Sequence, residues 1–129
     1  MPAMQSRGID PIFLLAPTSH RARIERIVAA ASGFVYYVSV KGVTGAANLS
    51  LDSVREKLAE IRSCTDLPVG VGFGIKDPQT AAAMSDFADA VVVGSALVAR
   101  IESNLDRPEK AIEEIKGLLS EMRAAMDAG

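Results

Sequence analysis

At 129 residues the chain fits one domain and is long enough to bury a real core. A net charge of −2 gives no electrostatic footprint for nucleic acid or an anionic membrane surface. No apolar run approaches the roughly 20 residues that span a bilayer, and Met1–Arg7 lacks the apolar core of a signal peptide.

Short apolar runs alternate with segments of helical period. Pro11–Ala16 reads as a first strand, stopped by Pro17. Thr18 or Ser19 is placed to cap the following helix, whose Ile24, Ile27, Val28 and Ala31 share a face before Gly33 ends it. Phe34–Val40 is the second strand, rich in β-branched and aromatic residues. Strand parity sends Tyr36 and Tyr37 to opposite faces, so at most one enters a pocket. After the loop Gly42-Val43-Thr44-Gly45, residues Leu51, Val54, Leu58 and Ile61 mark a second amphipathic helix, with Ser50 as its cap. Val69–Gly72 is a third strand, leading into Gly72-Phe73-Gly74. Asp77-Pro78 opens a third helix, aspartate at the cap and proline in the first turn, where a missing N–H costs nothing. Asp86 and Asp89 flank that helix and read as capping residues. Ala90–Val93 is the fourth strand, and it runs straight into Gly94-Ser95 and a short helix to about Glu102. A longer helix from Pro108 carries Ile112, Ile115, Leu119, Met122 and Met126 at helical spacing.

Strands that are apolar throughout, rather than alternating, indicate a parallel sheet between helices. The order βαβαβαβα admits a small open doubly wound sheet or half of a (β/α)8 barrel. The glycine loops favour the barrel, where phosphate sites after the last two strands, completed by a short extra helix, recur. A whole TIM barrel takes about 250 residues. The fold class expected is therefore α/β, half of a (β/α)8 TIM-type barrel with four βα units in one domain, 1–129.

The candidate site follows from the three glycine loops. Glycine lets the backbone approach a ligand, and a helix start offers unpaired N–H groups and a partial positive charge, so the natural guest is phosphate or sulfate. Gly45, Gly74, Gly94 and the Ser95 hydroxyl are expected to converge on one anion. Any single loop is as readily a plain turn; three in order, ending on a Gly-Ser helix start, carry the argument. His20 reads as a surface residue. Cys64 is the single cysteine, with no His or second Cys at ligand spacing, so neither a disulfide nor a metal is expected and a reducing cytoplasm is the natural setting. The Met122 and Met126 pair continues the core stripe, and no cofactor is expected.

Pro11-Ile12-Phe13, Tyr36-Tyr37-Val38-Ser39-Val40-Lys41-Gly42-Val43-Thr44-Gly45, Gly72-Phe73-Gly74-Ile75 and Gly94-Ser95-Ala96-Leu97-Val98 together resemble the C-terminal half of the tryptophan synthase alpha chain. The resemblance runs in order over nearly the whole sequence. It implies the last four units of a (β/α)8 barrel whose full-length form cleaves indole-3-glycerol phosphate to indole and glyceraldehyde 3-phosphate, beside a pyridoxal-phosphate-dependent beta chain. It further implies that Gly45, Gly74, Gly94 and Ser95 hold the substrate phosphate. Tyr36 borders the substrate, Phe73 flanks the indole pocket, and Thr44 contacts a catalytic carboxylate from the closing loop. Some members have arginine where this chain has Val40, so closure here is expected to use other contacts, Lys41 foremost. The catalytic carboxylates of the family lie in the first half of the barrel, and no segment here matches that half; no catalytic residue is assigned, and the chain alone is expected to be inert.

Two further readings stand beside this one: the half barrel of another phosphate-binding (β/α)8 enzyme, and a non-catalytic assembly module. Strand ends at Ala16, Val40, Gly72 and Val93 lack the aspartates that would favour the former. A half barrel also leaves two open sheet edges and a bare inner face. Self-association, a separate N-terminal half, or a swapped rearrangement is expected to cover them.

Overall fold

The computed structural model describes residues 2–39, 47–72 and 75–128. In chain order the elements are α1 (Pro2–Gln5), β1 (Leu14–Leu15), α2 (Arg21–Ala30), β2 (Val35–Val38) and α3 (Ala47–Arg62). Then come β3 (Val69–Gly72), α4 (Pro78–Ser85), β4 (Ala90–Val92), α5 (Ser95–Ser103) and α6 (Pro108–Ala128). The four strands form one sheet in the order β1-β2-β3-β4, every pair parallel. Strands adjacent in sequence are thus neighbours in space, each joined to the next by a helical crossover, as in a segment of a barrel.

One face of the sheet is sealed. Leu15, Val35, Tyr37, Val69 and Val71 point into a core completed by Ile24 and Val28 of α2, by Val54, Leu58 and Ile61 of α3, and by Ala81 and Met84 of α4. The second face is different. Leu14 is 61% exposed, Ala90 is exposed, and Tyr36, Val38 and Val92 are half-buried. Strands apolar on both sides therefore do not mean two covered faces here: among the described residues, helices cover one.

Local chemistry explains several boundaries. Asp77 accepts a hydrogen bond from the Thr80 N–H at 2.7 Å, and Pro78 follows it in the first turn of α4, as expected. At the end of α2, Gly33 adopts φ +79°, which favours glycine, and a Cβ there would also lie a tight 3.1 Å from the Asp10 and Ile12 side chains. Neither Thr18 nor Ser19 caps α2. His20 occupies the cap position, while the buried Ser19 turns back and accepts from the Ala16 N–H at 3.1 Å. The Lys57 ammonium donates to the Ser19 carbonyl at 2.5 Å and pairs with Glu60, tying the end of β1 to α3. Ser50 is not a cap either, since α3 already begins at Ala47.

Other expectations need correction. β1 has two residues, not six, and β2 stops at Val38. Asp89 is no helix cap: its carboxylate accepts from the Val69 N–H at 2.9 Å and pairs with Arg62 at 3.0 Å, clamping the start of β3 to β4. Along α6 the buried stripe is Ala111, Leu118 and Met122, with Ile115 half-buried; Ile112 and Leu119 are exposed. The stripe shifts toward Ala111 and Leu118 because α6 packs against α4 and α5.

Leu58, 1% exposed at the centre of α3, should cost about 2–5 kcal/mol when cut to alanine. Asp77→Ala should cost about 1 kcal/mol. Urea unfolding checks both; equal and negligible losses would show that the α3 core does not hold the sheet.

Candidate functional site at the C-terminal rim of the sheet

The open face is built around two glycines of β3. Register pairs Leu14 with Tyr36, Tyr36 with Gly70 and Gly70 with Ala90 in one layer, then Val38 with Gly72 and Gly72 with Val92 in the next. The rings of Phe34, just before β2, and of Tyr36 within it lie across those glycines. The Phe34 ring would sit 3.6 Å from a Cβ at Gly70, which is ordinary contact. At Gly72 the phenol of Tyr36 occupies the Cβ position itself, its Cζ only 2.8 Å away. Gly72 is therefore what lets Tyr36 lie flat on the sheet. Parity holds as expected: Tyr36 faces the open side, and Tyr37 is buried on the helix side, where desolvation pushes its phenol pKa up.

The rim beyond this face is where the strands end. The Ser39 N–H donates to the Gly72 carbonyl at 3.1 Å, extending the ladder past β2. Val92 lies beside Gly72, and Val93 carries the chain to Gly94, which caps the start of α5 with φ −126° and ψ −72°. The Gly94 carbonyl accepts from the Leu97 and Val98 N–H groups at 2.9 and 3.1 Å. The Ser95 and Ala96 N–H groups precede them and have no helical carbonyl one turn back. Gly94 and Ser95 are exposed, a Cβ at Gly94 would meet nothing within 4 Å, and the first turn of α5 holds no acidic residue. The junction is thus open, donor-rich and free of opposing charge, which suits an anion. Along the same rim, a cleft of about 470 Å³ is lined by Leu14, Ala16, Ser19, Val38 and the guanidinium-bearing Arg23.

Of the expected site residues, Tyr36, Gly94 and Ser95 lie on described elements at or facing this rim. Thr44, Gly45, Phe73 and Gly74 lie outside the described residues, as do Val40 and Lys41. The role of Gly72 as the seat of Tyr36 was not anticipated, although an aromatic strand beside a Val-Gly-Val-Gly strand is a signal for it. Among the described residues there is no cluster of three or more His, Cys, Asp or Glu side chains able to hold a metal.

A sequence profile described as tryptophan synthase alpha chain matches residues 1–127. The chain belongs to the tryptophan synthase alpha chain family. The alpha chain of Thioalkalivibrio sulfidiphilus is 65% identical over 124 residues, 96% of this chain and 47% of that one. That of Methylococcus capsulatus is 57% identical over 128 residues, covering 99% and 48% respectively. The crystal structure of the tryptophan synthase subunit alpha from Legionella pneumophila superposes with a TM-score of 0.82 at 33% identity, over 99% of this chain and 46% of that one. The chain thus spans about half the length of the curated relatives it matches. Its four parallel strands and their helices are a partial TIM barrel, in line with the expected class. Membership in this lyase family sets aside an unrelated phosphate-binding barrel.

The tryptophan synthase alpha segment should therefore respond unequally at its two strand glycines. Gly70→Ala should be near neutral, since the added Cβ meets only ordinary contacts and less chain entropy is lost on folding, whereas Gly72→Ala must displace the Tyr36 ring and should cost about 1–3 kcal/mol. A Tyr36→Ala background should remove most of that penalty in a double-mutant cycle. Additive losses in denaturant unfolding would contradict the contact.

Proposed function

We propose that this chain is the phosphate-binding C-terminal half of a tryptophan synthase alpha chain, whose full-length form cleaves indole-3-glycerol phosphate to indole and glyceraldehyde 3-phosphate. The observation that carries this reading is the exposed Gly94-Ser95 start of α5 at the end of β4, in a chain of this family. The Ser95 and Ala96 N–H groups and the Ser95 hydroxyl are the donors for the phosphate. The α5 dipole adds about 0.3–1 kcal/mol for a charge at its N-terminus. Gly45 and Gly74 supply further N–H groups in this reading. Tyr36, seated on Gly72, borders the rest of the substrate; Phe73 flanks the indole ring and Thr44 belongs to the closing loop.

The reaction itself is a retro-aldol cleavage. One group protonates the indole ring, another removes the glycerol hydroxyl proton, and the carbon–carbon bond between them breaks as the carbonyl forms. In this reading both groups are carboxylates of the other half of the barrel, and this half supplies the substrate's anchor. The 129-residue chain alone is then inactive, and its complex with a beta chain belongs to the full-length form. A cytoplasmic location goes with the same reading; among the described residues, no helix is long and apolar enough to cross a membrane.

Calorimetric titration with glycerol 3-phosphate or sulfate tests the anchor. Saturable binding in the millimolar range is expected, weakened about tenfold or more by Gly94→Asp, which sets a carboxylate against the anion. Because a side chain at Gly94 meets nothing, that variant should keep its fold. Absence of binding by the parent chain, or binding indifferent to Gly94→Asp, would leave only an assembly role. Indole formation above background by the purified 129-residue chain would contradict the assignment of the chemistry to the other half.

A further inference from the structure

The helix that opens on Gly94-Ser95 is short, nine residues, and two points fix it. Near its start Ala96 is buried in the core; among the described residues it is the one fully buried side chain of α5. Just past its end stands Asn104, a polar residue only 6% exposed. The Asn104 amide donates twice, to the Arg100 carbonyl in the last turns of α5 at 2.8 Å and to Glu114 Oε2 on α6 at 2.9 Å. Its backbone is satisfied too: the N–H donates to the Ile101 carbonyl at 3.1 Å, and the carbonyl accepts from the Arg107 N–H at 2.9 Å. Beside this link α5 and α6 part around a groove of about 650 Å³ lined by Arg100, Ser103, Glu114 and Gly117. Among the described residues, Asn104 to Glu114 is the one side-chain hydrogen bond that crosses from the end of α5 to α6.

An asparagine after a helix commonly serves through its backbone, because it tolerates the left-handed conformation of a C-terminal cap. Asn104 does not adopt it: φ is −130° and ψ 36°. The position uses the side chain. We infer, resting on the reading of α5 as the phosphate anchor, that Asn104 is a positioning residue: through Glu114 it sets the angle of α5 and so the aim of the Ser95 and Ala96 N–H groups. The carboxylate acceptor makes the bond charge-assisted, and burial of Asn104 keeps water from replacing it. The helix itself transmits the constraint as a rod about 14 Å long. Released at Asn104, it pivots about Ala96 and turns its leading donors off their common point. Hydrogen bonds weaken steeply with angle, so affinity falls although no donor is lost.

Titration with glycerol 3-phosphate and amide exchange test this on Asn104→Leu, Glu114→Ala and Glu114→Gln. The first two should weaken binding about three- to tenfold. They should also speed exchange at Leu97 and Val98, whose N–H groups bond to the Gly94 carbonyl, with β2 and β3 unchanged. That contrast separates a reoriented α5 from a general loss of stability. Glu114 is exposed, so its variants keep the fold even where Asn104→Leu does not. Removing a negative charge alone would favour an anion, so the loss in E114A runs against a simple field effect. Glu114→Gln keeps an oxygen acceptor and should recover most of that loss. Parent-like affinity in E114A, or equal losses in E114A and E114Q, would overturn the inference while Gly94-dependent binding by the parent stands. A parent chain that binds no anion would remove the anchor itself, and this inference with it.

Discussion

The ring of Tyr36 lies on Gly72 because β3 withholds a side chain there, and this contact separates the two faces of the sheet. On the helix side, Val35, Tyr37, Val69 and Val71 interlock with α2, α3 and α4 and leave almost no surface to water. On the other side, glycines and aromatic rings form a low floor that no helix of the described residues covers. A parallel sheet is ordinarily covered on both faces. The packing that holds this chain together and the surface left for function are thus divided by strand parity: odd positions of β2 build the core, even positions line the open face.

That division also positions the rim. The ladder of β2, β3 and β4 ends in step, with Val38, Gly72 and Val92 side by side, so the segments leaving these strands start from adjacent points about 4.8 Å apart. The Asp89 carboxylate, held by the Val69 N–H and Arg62, sets this register from the opposite end of β3. Gly94 and Ser95 then open α5 with their donors facing outward at the end of β4. Stability and site geometry meet in β3, the strand buried at every position.

Much of this was legible in the sequence, and for identifiable reasons. The Asp77-Pro78 start of α4, the Gly94-Ser95 start of α5 and the opposite facing of Tyr36 and Tyr37 are local rules, and they hold. The alternation of apolar runs with helical periods gave the parallel order of the strands. The features that the sequence does not reveal depend on distant partners. Leu118 and Leu119 both fit helical spacing on α6, and only packing against neighbouring elements buries the first and exposes the second. Ser19 could have capped α2, but the Ala16 N–H and Lys57 draw it toward β1 and α3. Asp89 looked like a cap because its acceptor role spans 20 residues of sequence. Strand ends were overextended because Pro11–Ile12 and Phe34 are apolar for packing rather than for ladder pairing.

We propose that the open face and its C-terminal rim carry the function, while the helix face supports them. Residue-resolved amide shifts during titration with glycerol 3-phosphate test it most directly. Saturable changes centred on Gly94, Ser95 and Ala96, with Tyr36 following, are the predicted result. Changes centred instead on α3, α4 or α6, or scattered without saturation, would contradict it.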